Sequence, residues 1–204
     1  MTVKELLPEC DGTRFQKALA DFIIQHKLLT VVESGFGVSS VFILDAMDNY
    51  NLDYRLFSID KNAWFPHRFE HRNHKLIEQK SEDALLPLYQ KIGPFDLFLH
   101  DSDHDIKCQT YEYEFGWQCL KPGGYLWSDD RTWGGHNAWA KFLKQHDLVE
   151  TIVGDAAYVR KPIEFGFVPA AKAVECHELN LHLAQAAENR WLAEGNKNSD
   201  VFKD

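Results

Sequence analysis

Short apolar runs alternate with amphipathic stretches along most of the chain. Residues 28–34 (LLTVVES) form an apolar run that ends in polar residues and in the loop Gly35-Phe36-Gly37, a pattern typical of a strand buried on both faces. Similar runs follow at residues 54–60, 75–80, 95–101 and 124–130. Helical patterns precede and separate these runs, from Thr13 to about Lys27 and around residues 38–48, 82–92, 107–119 and 136–145. The alternation predicts βαβ units and a parallel sheet.

The second half of the chain adds a sheet edge and a helical extension. Residues 148–154 and 156–162 are apolar runs too close together for an intervening helix, which predicts an antiparallel pair at one edge. We therefore predict an α/β fold with a doubly wound, mostly parallel seven-stranded sheet and helices on both faces. Residues 1–162 would form this domain, and residues 163–204 a C-terminal helical extension packed on it or on a partner subunit. The extension's predicted buried face consists of Cys176, Leu179, Leu183, Ala187 and Trp191.

Composition and charge narrow the classes of partner. The chain has 204 residues, of which 45% are hydrophobic, enough for one globular domain and its own core. Its 22 Lys and Arg residues against 31 Asp and Glu residues give a formal net charge of −9, which repels phosphate backbones and anionic lipids. We therefore expect neither nucleic acid nor a membrane as a partner. No run reaches membrane-spanning length and the four cysteines are widely separated, so a reducing, cytoplasmic location is expected.

The loop after the first strand carries a binding motif. Residues 33–39 have the pattern E-x-G-x-G-x-S, whose two glycines allow a tight turn and the close approach of a ligand to the backbone. Asp60 ends the second strand, where an acidic residue accepts hydrogen bonds from ribose hydroxyls. Adenosine is the implied ligand. Two simpler interpretations stay open: an ordinary strand-to-helix turn at the glycines, and a strand-end carboxylate at Asp60 that caps the following turn.

Two adenosine-containing ligands satisfy this pattern, and they differ in charge. A nicotinamide dinucleotide brings a pyrophosphate, which favours a helix N-terminus free of carboxylates. S-adenosylmethionine brings a sulfonium and an ammonium group. Glu33, directly before the glycine loop, and the acidic balance of the chain favour the cationic ligand.

Carboxylates also follow two later strands. Asp101 ends one run and is followed by Asp103 and Asp105, and Asp129 and Asp130 end the next run. In a parallel sheet these strand ends can lie side by side, where clustered carboxylates repel unless a cation, a base role or water relieves them. The oxygen chemistry of Asp101, Asp129 and Asp130 suits a divalent cation such as Mg²⁺. Alternatively, Asp103 or Asp105 caps the helix that starts near Ile106, and Asp129 and Asp130 are solvated.

In order and spacing, the segments ESGFGVSS, LFSID, FDLFLHDSDHD and LKPGGYLWSDD resemble the class I S-adenosylmethionine-dependent methyltransferases. The resemblance extends from about residue 13 to residue 161. Within that class the chain looks most like the small O-methyltransferases related to macrocin O-methyltransferase and to cephalosporin-biosynthetic methyltransferases. The resemblance implies a Rossmann-like methyltransferase fold and methyl transfer from S-adenosylmethionine to a small-molecule acceptor, at an oxygen, with the help of Mg²⁺ or another divalent cation.

The resemblance also implies a set of site residues. The glycine loop and the preceding acid would hold the methionine part of the donor, Asp60 the ribose, and the Ser81-Glu82 pair the adenine, although that pair also fits a helix cap with an acidic first turn. Asp103 would be the general base, with His104 as the alternative. The metal ligands would be Asp101, Asp129 and Asp130. The complete set of implied donor-binding residues is Glu33, Gly35, Phe36, Gly37, Ser39, Asp60, Lys61, Ser81, Glu82 and Asp101.

Two other functions remain open on the sequence. The glycine loop and Asp60 alone would permit an NAD-dependent oxidoreductase, against which Glu33 and the paired carboxylates argue. Ser102 and Ile106 stand where relatives commonly have glycine and an aromatic residue, so a donor-binding module without turnover is the third possibility. A homodimer formed through the C-terminal extension is a further expectation.

Overall fold

The computed structural model describes residues 2–10, 12, 14–50, 53–62, 69–129, 131–132 and 137–195. Within them, seven strands form one sheet in the order β3-β2-β1-β4-β5-β7-β6. Neighbours among β1 to β5 are parallel, whereas β7 runs antiparallel to both β5 and β6. The predicted mostly parallel seven-stranded sheet with an antiparallel edge pair is confirmed. The strands are β1 (Thr30–Ser34), β2 (Arg55–Ile59), β3 (His74–Ile77), β4 (Phe95–His100), β5 (Leu120–Ser128), β6 (Thr151–Val153) and β7 (Ala156–Arg160).

Helices cover both faces of the sheet because the central strands are apolar on both sides. In β4, Leu97 and Leu99 pack with α1 to α3, while Phe98 packs with α4 to α7 on the other face. This two-sided burial is the predicted doubly wound arrangement. The helices are α1 (Val3–Leu6), α2 (Arg14–His26), α3 (Val38–Asn49), α4 (Ser81–Ile92), α5 (Ile106–Cys119), α6 (Ala138–Gln145) and α7 (Ala173–Ala193), with short 3₁₀ turns at Leu7–Glu9 and Ala170–Lys172.

The strand register brings four strand ends to one edge of the sheet. Ser34 at the end of β1 is level with Ile59 of β2 and with His100 of β4. His100 is in turn level with Ser128 of β5. The chain leaves β1 towards β2 on one side, whereas β4 flanks β1 on the other, so the topology switches between β1 and β4. Ligands of open α/β sheets bind beyond the strand ends at such a point.

The proline and glycines of the segment Lys121-Pro122-Gly123-Gly124 are typical of a turn between a helix and a strand, but the segment lies inside a strand. β5 begins at Leu120, directly after α5, and the segment forms an irregularity inside the strand: Phe95 pairs with Leu120, but Leu97 pairs with Tyr125. The backbone of Lys161 holds this bulge by hydrogen bonds with Gly123 and Gly124 at 3.0 and 2.8 Å. Gly123 has a φ of +79°, which glycine adopts without strain.

The predicted packing face of the C-terminal extension is partly wrong. α7 packs against α5 with Ala173, Asn180 and Ala184 buried, while Leu179 and Leu183 are 56% and 40% exposed. The helix turns the face with Asn180 towards α5, where Asn180 and Gln118 form reciprocal amide hydrogen bonds at 3.2 and 3.5 Å. Apolar periodicity alone did not indicate a buried asparagine.

Three further sequence features can be compared with the structure. The predicted start of the first helix at Thr13 lies outside the described residues, and α2 is described from Arg14. Among the residues described, no helix has the length and apolar character needed to cross a membrane. All four cysteines are described, and none of them forms a disulfide.

Candidate active site

The glycine loop lies directly against the end of β4. Gly35 has a φ of +104°, and a Cβ built on it would lie 1.9 Å from the carbonyl oxygen of Asp101. A side chain at this position would therefore collide with the backbone of the neighbouring loop. The sequence predicted a glycine for a tight turn and a close ligand; the structure shows that Gly35 is required by the contact between two loops of the site itself.

Asp60 supports the same loop from the end of β2. Its Oδ2 accepts a hydrogen bond from the backbone N–H of Phe36 at 3.1 Å, and its Oδ1 accepts one from Asn62 at 2.8 Å. The predicted donor-binding residues Gly35, Phe36 and Asp60 are thus brought together. Gly37 caps α3 at the far end of the loop.

Glu33 lies beneath the glycine loop instead of facing the open edge. Its side chain is 0% exposed and accepts hydrogen bonds from Ser40 and, at 2.5 Å, from Ser58. Burial raises the pKa of Glu33 to about 7, although both serine hydroxyls lower it. The expectation that this acid touches the donor directly needs correction, because a strand residue before the tip points into the protein. Glu33 instead links β1, β2 and α3 under the loop.

The loops after β4 and β5 bring further predicted residues to this edge. The hydroxyl of Ser39 donates a hydrogen bond to Asp101 Oδ2 at 2.5 Å, which joins α3 to the end of β4. Asp129 follows β5, and its backbone N–H donates to the carbonyl of His100 at 2.9 Å. Asp101 and Asp129 therefore follow neighbouring strands, as the sequence predicted.

Lys61 and Asp103 connect the loops after β2 and β4. Their side chains form an ion pair, and the hydrogen bond to Asp103 raises the pKa of Lys61. The two side chains are 41% and 33% exposed, so the pair lies at the surface of this edge of the sheet. The candidate base Asp103 is therefore accessible to solvent.

His104 and Asp105 have different surroundings. The Nδ1 atom of His104 is 3.3 Å from the amide nitrogen of Gln109, a hydrogen-bond donor, which favours a neutral ring with its proton on Nε2. Asp105 caps α5 by accepting a hydrogen bond from the backbone N–H of Cys108 at 2.9 Å. The interpretation of Asp105 as a helix cap is confirmed.

The described part of the predicted metal set consists of Asp101 and Asp129. Their carboxylate oxygens are hard donors that suit Mg²⁺. Over the ranges described, however, no group of three His, Cys, Asp or Glu side chains is placed to hold a metal ion. The third predicted ligand, Asp130, lies outside the described residues. The donors that are described do not make up a metal site by themselves.

The predicted adenine contacts differ in burial. Ser81 begins α4 after Lys80, so it is not the N-cap residue, and it is 5% exposed. Its hydroxyl lies 3.9 Å from the sulfur of Cys108. Glu82, in the first turn of α4, is half-buried. Of this pair, Glu82 therefore has the more accessible side chain.

A buried carboxylate below the site was not predicted. Glu112 of α5 is fully buried and accepts hydrogen bonds from Ser34 and from His100 Nδ1, each at 2.5 Å. Burial alone would raise the pKa of Glu112, but His100 and the hydroxyls of Ser34 and Ser81 hold it below its usual value. The signal in the sequence that could have indicated its burial is its spacing, because Glu112 stands four residues after Cys108, beside the apolar face of the helix.

The resulting edge of the sheet is acidic. The side chains of Asp60, Asp101, Asp103 and Asp129 follow β2, β4 and β5, and Lys61 neutralises Asp103. Such a field attracts a cationic ligand and opposes a pyrophosphate. The electrostatics thus agree with the charge argument drawn from the sequence.

Comparison with known proteins identifies a methyltransferase domain in part of the chain and shows the fold. The sequence model of a family described as a methyltransferase domain matches residues 32–131, just under half of the chain. Among curated proteins, no sequence matches significantly. The matched segment runs from within β1 to just beyond β5, and it contains the glycine loop, Asp60 and the aspartates after β4 and β5.

Several solved structures share the fold. The MycE methyltransferase of the mycinamycin biosynthetic pathway, in complex with Mg and S-adenosylhomocysteine (SAH), is 15% identical, with a TM-score of 0.54 over 76% of this chain and 50% of that chain. An O-methyltransferase from Bacillus cereus in complex with SAH is 12% identical, with a TM-score of 0.56 over 78% and 89% of the two chains. TomG from Streptomyces achromogenes, an O-methyltransferase of tomaymycin synthesis in complex with S-adenosylmethionine, is 16% identical, with a TM-score of 0.52 over 76% and 83%.

These structural likenesses lie at low sequence identity and show the fold. This chain spans about half the length of the MycE structure. The domain match is accompanied by the strand order, in which the glycine loop lies at the switch between β1 and β4. Residues 32–131 of the chain thus match a methyltransferase domain, and the fold is the one shared by methyltransferases of known structure.

Proposed function

We propose that this protein transfers a methyl group from S-adenosylmethionine to an oxygen of a small-molecule acceptor. The observation that carries the proposal is the acidic crevice at the switch point, where Asp60 holds the glycine loop and Ser39 holds Asp101. The domain match supports methyl transfer, and structural neighbours in complex with SAH or S-adenosylmethionine support the donor.

The donor would lie across the glycine loop. The position of Asp60 at the end of β2 suits the ribose hydroxyls, and the half-buried Glu82 at the start of α4 suits the adenine. Asp101, next to the loop, suits the ammonium and sulfonium charges of the methionine part. Glu33 and Ser39 would act indirectly, since Glu33 holds the loop from below and Ser39 orients Asp101.

The bound donor supplies a methyl group already activated on sulfur, so the protein must orient the acceptor and remove its proton. Asp103 is the proposed base, because its carboxylate lies at the surface of this edge of the sheet and can accept a proton from an acceptor hydroxyl. Lys61 holds that carboxylate in place. Of the two candidate bases, His104 is suited to donate a hydrogen bond from Nε2 and not to accept a proton, since the amide of Gln109 occupies its Nδ1 lone pair.

A divalent ion is a further part of the proposal and depends on Asp130. The MycE structure contains Mg, and Asp101 with Asp129 offers two carboxylates of suitable chemistry on neighbouring strands. A metal bound there would lower the pKa of a coordinated acceptor hydroxyl. A homodimer remains a proposal as well. We also propose that the acceptor pocket is lined by aromatic and histidine residues from the loops after the second and fifth strand runs, namely Trp64, Phe65, Trp133 and His136, which lie outside the described ranges.

Titration calorimetry with SAH and, separately, with NAD tests the proposal. We expect saturable binding of SAH, and a competing titration with S-adenosylmethionine at the same site. NAD binding with no response to SAH would identify an oxidoreductase instead. If SAH binds but a panel of small-molecule alcohols and phenols yields no methylated product by mass spectrometry, the result favours the donor-binding module over the enzyme.

A further inference from the structure

Glu112 is the acceptor at the centre of a buried polar cluster beneath the candidate site. Its Oε1 atom receives hydrogen bonds from the hydroxyls of Ser34 and Ser102 at 2.5 and 3.0 Å, and from the thiol of Cys108 at 3.2 Å. Its Oε2 atom lies 2.5 Å from His100 Nδ1. Side chains from several segments of the chain therefore converge on one carboxylate.

Both oxygens of Glu112 accept hydrogen bonds in this cluster, so the side chain must be an ionised carboxylate. A carboxylate accepts hydrogen bonds at both oxygens, whereas an amide of the same shape accepts at one and donates at the other. A buried carboxylate is unfavourable unless its charge is matched by donors, and here several donors surround it. The cluster is therefore specific for glutamate and not merely for a polar side chain of this size.

The positions of the donors connect Glu112 to the site above it. Ser34 ends β1 and precedes Gly35 of the glycine loop, while Ser102 directly follows Asp101. Glu112 thus ties together the two strand ends on either side of the switch point. We propose that Glu112 is a positioning residue for methyl transfer, which sets the spacing between the donor-binding loop and the aspartate loop. This inference rests on the proposed function.

The same contact fixes the proton on His100. Because the anionic carboxylate accepts from Nδ1, His100 carries a proton on that nitrogen, and its Nε2 atom lies outside this contact. That Nε2 is fully buried and has no hydrogen-bond partner among the described residues, and the ring meets His104 edge to face at 5.5 Å. The tautomer of His100 is therefore a spectroscopic signature of the contact with Glu112.

Glu112→Gln is the variant that tests the proposal, with Glu114→Gln as its matched control. Glu114 is two residues further along α5, is similarly buried, and pairs with a different histidine, His146, at 2.8 Å. We expect Glu112→Gln to weaken SAH binding at least tenfold by calorimetry. In spectra of protein labelled with ¹⁵N-histidine, the His100 signals, assigned by His100→Asn, should leave the Nδ1–H pattern. Glu114→Gln should change neither measurement.

Binding of SAH by Glu112→Gln within twofold of wild type would overturn the proposal, as would a wild-type His100 without a proton on Nδ1. If Glu112→Gln does not fold, Ser102→Ala removes one tether and leaves the carboxylate, and we expect at least a threefold loss of affinity. If the wild-type protein itself binds no SAH, the proposed function fails. The positioning role is then decided by amide spectra, in which Glu112→Gln must shift residues 34–37 and 101–105 while Glu114→Gln must not.

Discussion

Replacement of Gly35 by alanine tests the contact between the two loops of the site. The new Cβ would lie 1.9 Å from Asp101 O and 2.7 Å from Asp101 C, whereas ordinary contacts begin at 3.4 Å, so the loops would have to separate by about 1.5 Å. The hydrogen bond from Asp101 N–H to Ser34 O, now 2.8 Å long, would not survive that shift. We therefore expect both instability and a displaced aspartate loop.

The magnitude follows from two separable terms. A non-glycine residue held at an unfavourable positive φ costs about 1–3 kcal/mol. Forcing a methyl group into a packed site costs about 1–3 kcal/mol more. Gly93 provides the control, because its φ is +78° but a Cβ there meets nothing within 4 Å. Gly93→Ala therefore reports the backbone term alone, and Gly35→Ala should be about 1–3 kcal/mol less stable than Gly93→Ala.

Urea-induced unfolding of both variants and of the wild type measures this difference, provided that the m-values agree. Calorimetric titration with SAH adds the functional measurement, in which Gly35→Ala should lose affinity and Gly93→Ala should not, since Gly93 lies at the other end of β4. Equal free energies of unfolding for the two variants, with equal affinities for SAH, would refute the close contact between the glycine loop and Asp101.

Three further outcomes follow from individual side chains. Asp60→Ala should weaken SAH binding by about 1–3 kcal/mol, the cost of a lost charge-assisted hydrogen bond, and an unchanged dissociation constant would remove Asp60 from the site. Burial raises the pKa of Glu33 from 4.5 to about 7, so the folded protein keeps a proton on Glu33 at pH values where the unfolded chain has lost it. The free energy of unfolding should therefore fall as pH rises from about 5 to 8. This dependence on pH should be weaker in Glu33→Gln, and equal slopes for the two proteins in urea titrations would contradict it. Asp129→Asn should abolish Mg²⁺ binding measured by calorimetry while SAH affinity stays, and full methyl transfer after exhaustive EDTA treatment would exclude a required metal.

Features with a repeating or local cause were predictable from the sequence. The seven strands and their parallel order follow from apolar runs alternating with helices, and the antiparallel edge follows from the short gap between β6 and β7. Asp105 as a helix cap depends on its own neighbours alone. The meeting of Asp60, Asp101 and Asp129 at one edge follows because parallel strands end together.

Features decided by contacts between distant segments were not predictable. The inward orientation of Glu33 depends on Ser58 of another strand, and the rotation of α7 depends on Gln118 of α5. Glu112 has the charge of a solvent-exposed helix residue, and its burial follows from donors on β1 and β4 that a linear pattern does not connect. In each case the orientation or burial of the side chain follows from a polar partner that is distant in the sequence, and not from the local pattern of apolar residues.

The central claim is that a cationic donor and the aspartate loops share one crevice between β1 and β4. A crystal structure of the protein with SAH and Mg²⁺ tests it most directly. The account predicts SAH across residues 35–37, with its ribose on Asp60 and its sulfur facing Asp101 and Asp103. Density for SAH at any other edge of the sheet, or a ribose out of reach of Asp60, would contradict it.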